Sequence, residues 1–270
     1  MSATETDIEI PDASHGKIVV RRWEPSSEPN KIVLLVHGYG EHGGRYQHVA
    51  EHLAAEGAVV YAPDHYGHGR SDGDRAVVTD LDAMAQDVGR VQQLATEQHP
   101  DLPVVMIGHS MGGIIATRYA QLGVGELSAL VLSAPVIGGN PDIFALLDMD
   151  PMPEIPLDPA ALSRDPAVGE DYAGDELVYH GPFARETLQE FKAAAGRIAE
   201  GPGFGSLPTL WIHGENDPLA PYEVTKGTAH QLQGDTFEEK MYPGAMHEIF
   251  NETNKDEVLG DVSAFLSARA

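Results

Sequence analysis

One ten-residue stretch restricts this 270-residue chain more than any other: Val104-Val105-Met106-Ile107-Gly108-His109-Ser110-Met111-Gly112-Gly113. Its first half is an apolar run with the length of one buried parallel strand. Its second half is a G-x-S-x-G, and residues 114–120 then read as helix. Strand, tight turn and helix, with the serine at the turn, make a nucleophile elbow. The glycines are needed there, because the serine sits on a strained turn and a Cβ at either neighbour would crowd the adjacent backbone. Ser110 Oγ is thereby presented over the edge of a sheet. The N–H of Met111 opens the helix, where the dipole favours developing negative charge. A glycine-rich turn with a bystander serine would share the five residues, but the flanking strand and helix favour the catalytic reading.

The rest of the chain supplies a sheet for that elbow. Residues 8–10 and 17–23 are short β-type runs around a turn signal and predict an antiparallel edge hairpin. Residues 32–36 form a continuous apolar run, as expected of a strand buried on both faces, and lead into His37-Gly38-Tyr39-Gly40. An H-G-x-G loop after such a strand lets backbone approach a substrate oxygen closely, so the amide of Tyr39 is the second candidate oxyanion donor. Helices are predicted over 47–56 and 80–98, and strands over 58–61 and 127–132. This β-α alternation predicts an α/β fold: a mostly parallel central sheet with helices on both faces.

From Pro135 to about Pro208 the pattern breaks. Prolines 135, 141, 151, 153, 156, 159 and 166 interrupt every run, and acidic residues alternate with Ile143, Phe144, Leu146, Leu147, Met149 and Met152. Such an insertion is a candidate cap over the site, closed by a helix over 188–199. The expected division is a core of 1–136 and 206–270 and a cap of 137–205. Strands return at 208–213 and 237–242, and an amphipathic helix over 257–266 follows.

Serine needs a histidine base, itself oriented by a carboxylate. Of thirteen histidines, His247 alone lies in a loop just after the last strand. Asp217 lies in the loop after the preceding strand and is preferred as the acid, with Glu215 as its rival. His109 and His213 flank motifs and read as structural, as do Asp64, His65 and His68, whose loop suits cross-links between turns.

The 42 acidic residues outnumber the 17 basic ones and give a formal charge of −25. Nucleic acid and anionic lipid surfaces are thereby disfavoured as partners. The excess fits a salt-adapted surface or simply an acidic soluble protein. The absence of cysteine excludes disulfides, a thiolate metal site and a cysteine nucleophile. No apolar window reaches membrane-spanning length, and residues 1–7 are polar and acidic, so neither a span nor a signal peptide is expected and a cytoplasmic location is.

Several segments together resemble the monoacylglycerol lipase group of the α/β-hydrolase superfamily. They are His37-Gly38-Tyr39-Gly40-Glu41-His42 with Gly44-Arg45-Tyr46, Asp64-His65-Tyr66-Gly67-His68-Gly69-Arg70-Ser71, the elbow itself, Leu132-Ser133-Ala134-Pro135, and Tyr242-Pro243-Gly244 with His247-Glu248. The resemblance implies the α/β-hydrolase fold, a Ser110, Asp217, His247 triad and an oxyanion hole from the amides of Tyr39 and Met111. It further implies hydrolysis of a monoacylglycerol to glycerol and a fatty acid through an acyl-enzyme, with no cofactor and no metal. Tyr39 is bulkier than the family's common residue there, and the cap is shorter and more acidic than a long membrane-dipping lid. Membrane contact through the cap is therefore expected to be transient at most. Ile143, Phe144, Leu146, Leu147 and Met149 are the expected acyl-contacting residues. A carboxylesterase or lysophospholipase would use the same triad, whereas a ligand-binding protein on this fold would not need it.

Overall fold

A computed structural model describes residues 4–269; residues 1–3, the start of the polar N-terminal segment, and residue 270 lie outside the described residues. The strands are β1 (Thr4–Ala13), β2 (Gly16–Glu24), β3 (Lys31–Val36), β4 (Ala58–Pro63), β5 (Val104–His109), β6 (Ala129–Ser133), β7 (Thr209–Gly214) and β8 (Phe237–Tyr242). They form one sheet in the order β1-β2-β4-β3-β5-β6-β7-β8. The edge hairpin β1-β2 and the β2-β4 pair are antiparallel, and every other pair is parallel.

The helices are α1 (Gln47–Ala55), α2 (Leu81–Gln98), α3 (Met111–Leu122), α4 (Pro141–Phe144), α5 (Pro166–Gly174), α6 (Arg185–Glu200), α7 (Tyr222–Leu232) and α8 (Lys255–Arg269). The two-residue period of the central strands divides the core into two layers. Ile32, Leu34 and Val36 of β3 pack with α2, α3, α6 and α7, while Val33 and Leu35 pack with α1 and α8. Helices therefore cover both faces, as expected. Helix α7 had no expectation from the sequence. It follows Pro221 and buries only Thr225, Ala229 and Leu232, too few apolar positions to mark a periodic face.

The chain between β6 and β7 carries α4, α5 and α6. Before α6 it has one small core of its own, Leu162, Tyr172 and Val178, with Leu157, Val168 and Leu219 packed against it. Asn140 caps α4 by accepting the N–H groups of Asp142 and Ile143 and donates to the carbonyls of Pro218 and Leu219. The start of this excursion is thus tied to the loop after β7. Among the described residues, no helix is long and apolar enough to cross a membrane.

Candidate active site

Parallel strands put their C-terminal ends on one edge of the sheet, and the loops after β3, β5, β7 and β8 meet there. Ser110 follows β5 with φ 55° and ψ −117°, a left-handed conformation that a non-glycine residue holds only under constraint. The constraint is close packing at the two motif glycines. A Cβ on Gly108 would lie 2.4 Å from the Gly112 carbonyl oxygen, and one on Gly112 would lie 2.0 Å from that of Val36. The Ser110 N–H donates to the Ser133 carbonyl, which pins the turn to β6.

The expected residues come together. His247 Nε2 lies 2.8 Å from Ser110 Oγ, and His247 Nδ1 lies 2.7 Å from Asp217 Oδ2. Asp217 Oδ1 accepts the N–H groups of Leu219 and Ala220 at 2.8 and 2.9 Å, so both carboxylate oxygens are engaged. All three residues are buried. Burial opposes protonation of His247, but the Asp217 carboxylate outweighs it and holds the imidazole pKa above its ordinary value. Burial likewise opposes ionisation of Asp217, yet His247 and the His213 and His247 hydrogen bonds drive its pKa well below the usual carboxylate range. Glu215, the rival acid, is turned away and accepts the Gly244 N–H at 2.9 Å.

The loop after β3 is fixed with equal care. His65 donates its backbone N–H to His37 Nε2, so the His37 ring proton is on Nδ1, which donates to the Gly38 carbonyl at 2.7 Å. That carbonyl shares a planar trans peptide with the Tyr39 N–H, and the two groups point in opposite directions. Holding one aims the other. Glu41 adds a second tie by accepting the Gly38 N–H at 2.6 Å. Met111 opens α3, where the first N–H groups have no acceptor within the helix.

Glu41 belongs to a buried charge network that sequence reasoning left without a role. Arg45 donates to Glu41 at 2.9 Å and to both oxygens of Glu248 at 2.6 and 2.9 Å, and Tyr46 donates to Glu41 at 2.7 Å. The network joins the loop after β3 to the residue following His247. Burial raises the Glu41 pKa, whereas at Glu248 burial is outweighed by Arg45 and the pKa is lowered. Adjacency to Gly38 and to His247 in the sequence was the available signal.

Above Ser110 lies a cleft enclosing about 620 Å³, part of it open to solvent, with Gly38, Tyr39, His109 and His247 on its floor. Its remaining walls come mostly from the excursion and are largely apolar: Leu157, Leu162, Phe183, Leu188 and Phe191. Tyr39 stacks on Phe183 at 4.7 Å between ring centres, so its bulk forms wall. Of the expected acyl-contacting residues, Ile143 and Phe144 line this cleft, but Leu146, Leu147 and Met149 do not. The reason is local. After α4 the chain continues in a 3-10 turn, Ala145–Asp148, and Arg185 of α6 donates to the carbonyls of Leu147 and Met149 at 2.7 Å each, holding this stretch against α6. Met149 is left 47% exposed.

The other candidate polar groups serve as cross-links. Asp64 pairs with Arg21 and accepts the N–H groups of Gly43 and Arg70, and His109 Nδ1 faces the Ser133 carbonyl. Burial, and then the charge of His247, lower the His109 pKa to about 3. Among the described residues, no cluster of His, Asp or Glu is arranged to hold a metal ion.

Residues 27–254 match the family model described as Serine aminopeptidase, S33. The chain is 35% identical to a monoacylglycerol lipase of Mycolicibacterium smegmatis, over 98% of each chain. It belongs to the monoacylglycerol lipase group of the α/β-hydrolase superfamily. Within that group it is also 30% identical to a monoglyceride lipase of Rattus norvegicus, over 92% of this chain and 86% of the other. Among solved structures, a carboxyl esterase from Bacillus coagulans in complex with glycerol is 26% identical, with a TM-score of 0.80 over 100% of this chain and 99% of that one. The α/β-hydrolase fold is thereby shared throughout.

Proposed function

We propose that this protein hydrolyses monoacylglycerols to glycerol and a fatty acid, with Ser110, His247 and Asp217 as its catalytic triad. The observation that carries the reading is the unbroken hydrogen-bonded chain from Asp217 through His247 to Ser110 at the floor of an apolar cleft. Ser110 Oγ attacks the ester carbonyl as its proton passes to His247 Nε2, and the oxyanion is met by the amides of Tyr39 and Met111. His247 then gives that proton to the departing glycerol oxygen. A water repeats the sequence on the acyl-enzyme: His247 takes its proton, and the fatty acid leaves as Ser110 is reprotonated.

The relatives named monoacylglycerol or monoglyceride lipase support this substrate. We take 137–205 as a cap on a core of 1–136 and 206–270, because the cleft draws Ile143, Phe144, Leu188 and Phe191 from that span. Exposed Met149 and Ile155, set among Asp148, Asp150 and Glu154, suit brief contact with a lipid surface. A cytoplasmic location agrees with the lack of cysteine. A simple carboxylesterase is the second reading, favoured by the likeness to the Bacillus coagulans esterase. Labelling with a fluorophosphonate, followed by a panel of monoacylglycerol, diacylglycerol, lysophospholipid and short-chain esters, tests both. Labelling of Ser110 with preference for monoacylglycerol is expected; absent labelling overturns the mechanism, and preference for short-chain esters overturns the substrate.

A further inference from the structure

The carboxylate of the site has a second histidine beside it. His213 lies near the end of β7, four residues before Asp217, and is 1% exposed. Trp211, two residues earlier and so on the same face of the strand, donates its indole N–H to His213 Nδ1 at 3.0 Å. An indole N–H can only donate, so His213 Nδ1 accepts and the ring proton is on Nε2. That N–H donates to the Ala220 carbonyl at 2.7 Å and lies 3.4 Å from Asp217 Oδ2. Ala220 is thus held at both ends, since its own N–H donates to Asp217 Oδ1. The turn from 217 to 220 is closed onto the strand by one imidazole, and that imidazole is oriented by Trp211 and flanked by Tyr222.

We infer that His213 is a positioning residue of the reaction: with its tautomer set by Trp211, it holds the 217–220 turn so that Asp217 Oδ2 faces His247. The inference rests on the triad reading given above. A buried histidine with both nitrogens engaged is ordinarily a packing element. Here the donated proton goes to the acid's own turn, beside the oxygen that His247 uses. If Asp217 drifts, the loss appears when His247 becomes an imidazolium, in the transition state more than in substrate binding.

The test compares wild type, His213→Phe, His213→Gln, Asp217→Asn and the double variant His213→Phe/Asp217→Asn. The readouts are melting temperature, kcat and KM on a p-nitrophenyl ester, and the rate of fluorophosphonate labelling. His213→Phe keeps a ring among Trp211 and Tyr222 but removes the donor. It is expected to lower kcat about 10- to 100-fold with KM within about threefold. His213→Gln, whose amide nitrogen can donate from nearly the same place, is expected to stay within about fivefold of wild type. With Asp217→Asn already present, His213→Phe should change the labelling rate less than about twofold, because the residue acts through Asp217. The inference is overturned by equal losses in both backgrounds, by a His213→Phe enzyme within about twofold of wild type, or by His213→Gln performing no better than His213→Phe. Should His213→Phe not fold, His213→Asn takes its place, since its amide is too short to reach Ala220. A wild-type protein that neither cleaves the ester nor takes the label fails the hydrolase reading itself, a result distinct from each of these.

Discussion

The sheet framework and the excursion between β6 and β7 are built on opposite principles. In the framework, β3 to β7 are buried at every position, and the ends of β3, β5 and β7 place three of the four loops that meet at the candidate site. In the excursion, residues 141–161 include none that is buried, yet the segment supplies Ile143, Phe144 and Leu157 to the cleft. Packing on two faces fixes where chemistry can occur, whereas packing on one face fixes only what can sit above it. The framework therefore tolerates little change, and the excursion can vary what the cleft admits while the framework loops keep Ser110, His247 and Asp217 together.

The sharpest way to break this comparison is to damage the framework's chemistry without touching its packing. Asp217→Asn keeps the shape of the acid but not its charge, and kcat should fall about 10⁴-fold, while Glu215→Gln should leave it within about twofold. Steady-state rates on one ester decide it, and the reverse pattern would reassign the acid. Next in size is packing. Leu34→Ala, in the core of β3, should cost about 2–5 kcal/mol in denaturant unfolding, and Ile155→Ala, 53% exposed in the excursion, less than about 0.5 kcal/mol. Equal costs would mean that the excursion is as tightly built as the sheet.

Acid should also separate the two regions. His37, His65, His68 and His109, all in framework loops or at a strand end, are held neutral first of all by burial, with pKa values of about 3 for His65 and His109, about 4 for His68, and well below the ordinary value for His37. The unfolded chain then binds more protons than the folded one. Their contribution is complete above about pH 6.5 and is lost as the pH falls toward those values. Melting temperature should drop between about pH 6.5 and 5, before most carboxylates titrate. His247 moves the other way, so the acid limb of kcat/KM should have its midpoint above the ordinary histidine value. The smallest effect concerns the excursion alone. Phe144→Ala should shift the preferred acyl length of a monoacylglycerol series, by up to about 0.8 kcal/mol per methylene accommodated, while Leu147→Ala should leave the profile unchanged. A shift from both variants would mean that Leu147 reaches substrate after all.

The same contrast explains what could be read from the chain. The elbow, the loop after β3 and the loop carrying Asp217 were legible because each follows an apolar run that reads as a buried strand. In contrast, β8, Phe237-Glu238-Glu239-Lys240-Met241-Tyr242, is mostly polar, and the loop of His247 could be placed only as the one after the last strand. Within the excursion, composition marked a break in the α/β pattern but not which apolar residues line the cleft. Ile143 and Phe144 were legible as apolar, but so were Leu146, Leu147 and Met149, and only the bonds from Arg185 determine which of them turns away from the cleft. Leu188 and Phe191 reach the cleft from α6, which contacts α4, and Phe183 reaches it from just before α6 by stacking on Tyr39, tertiary relations with no local signal. The Glu41, Arg45 and Glu248 network spans 207 positions of sequence, and no spacing rule joins its parts.

The proposed role of Ser110 as the nucleophile of an ester hydrolase is tested most directly by turnover of a monoacylglycerol by wild type and Ser110→Ala, with melting curves on both. A fall in kcat of at least about 10³-fold at nearly unchanged melting temperature is expected, because among the described residues Ser110 Oγ is hydrogen-bonded only to His247 at the cleft floor. A folded Ser110→Ala protein that turns over within about tenfold of wild type would contradict it.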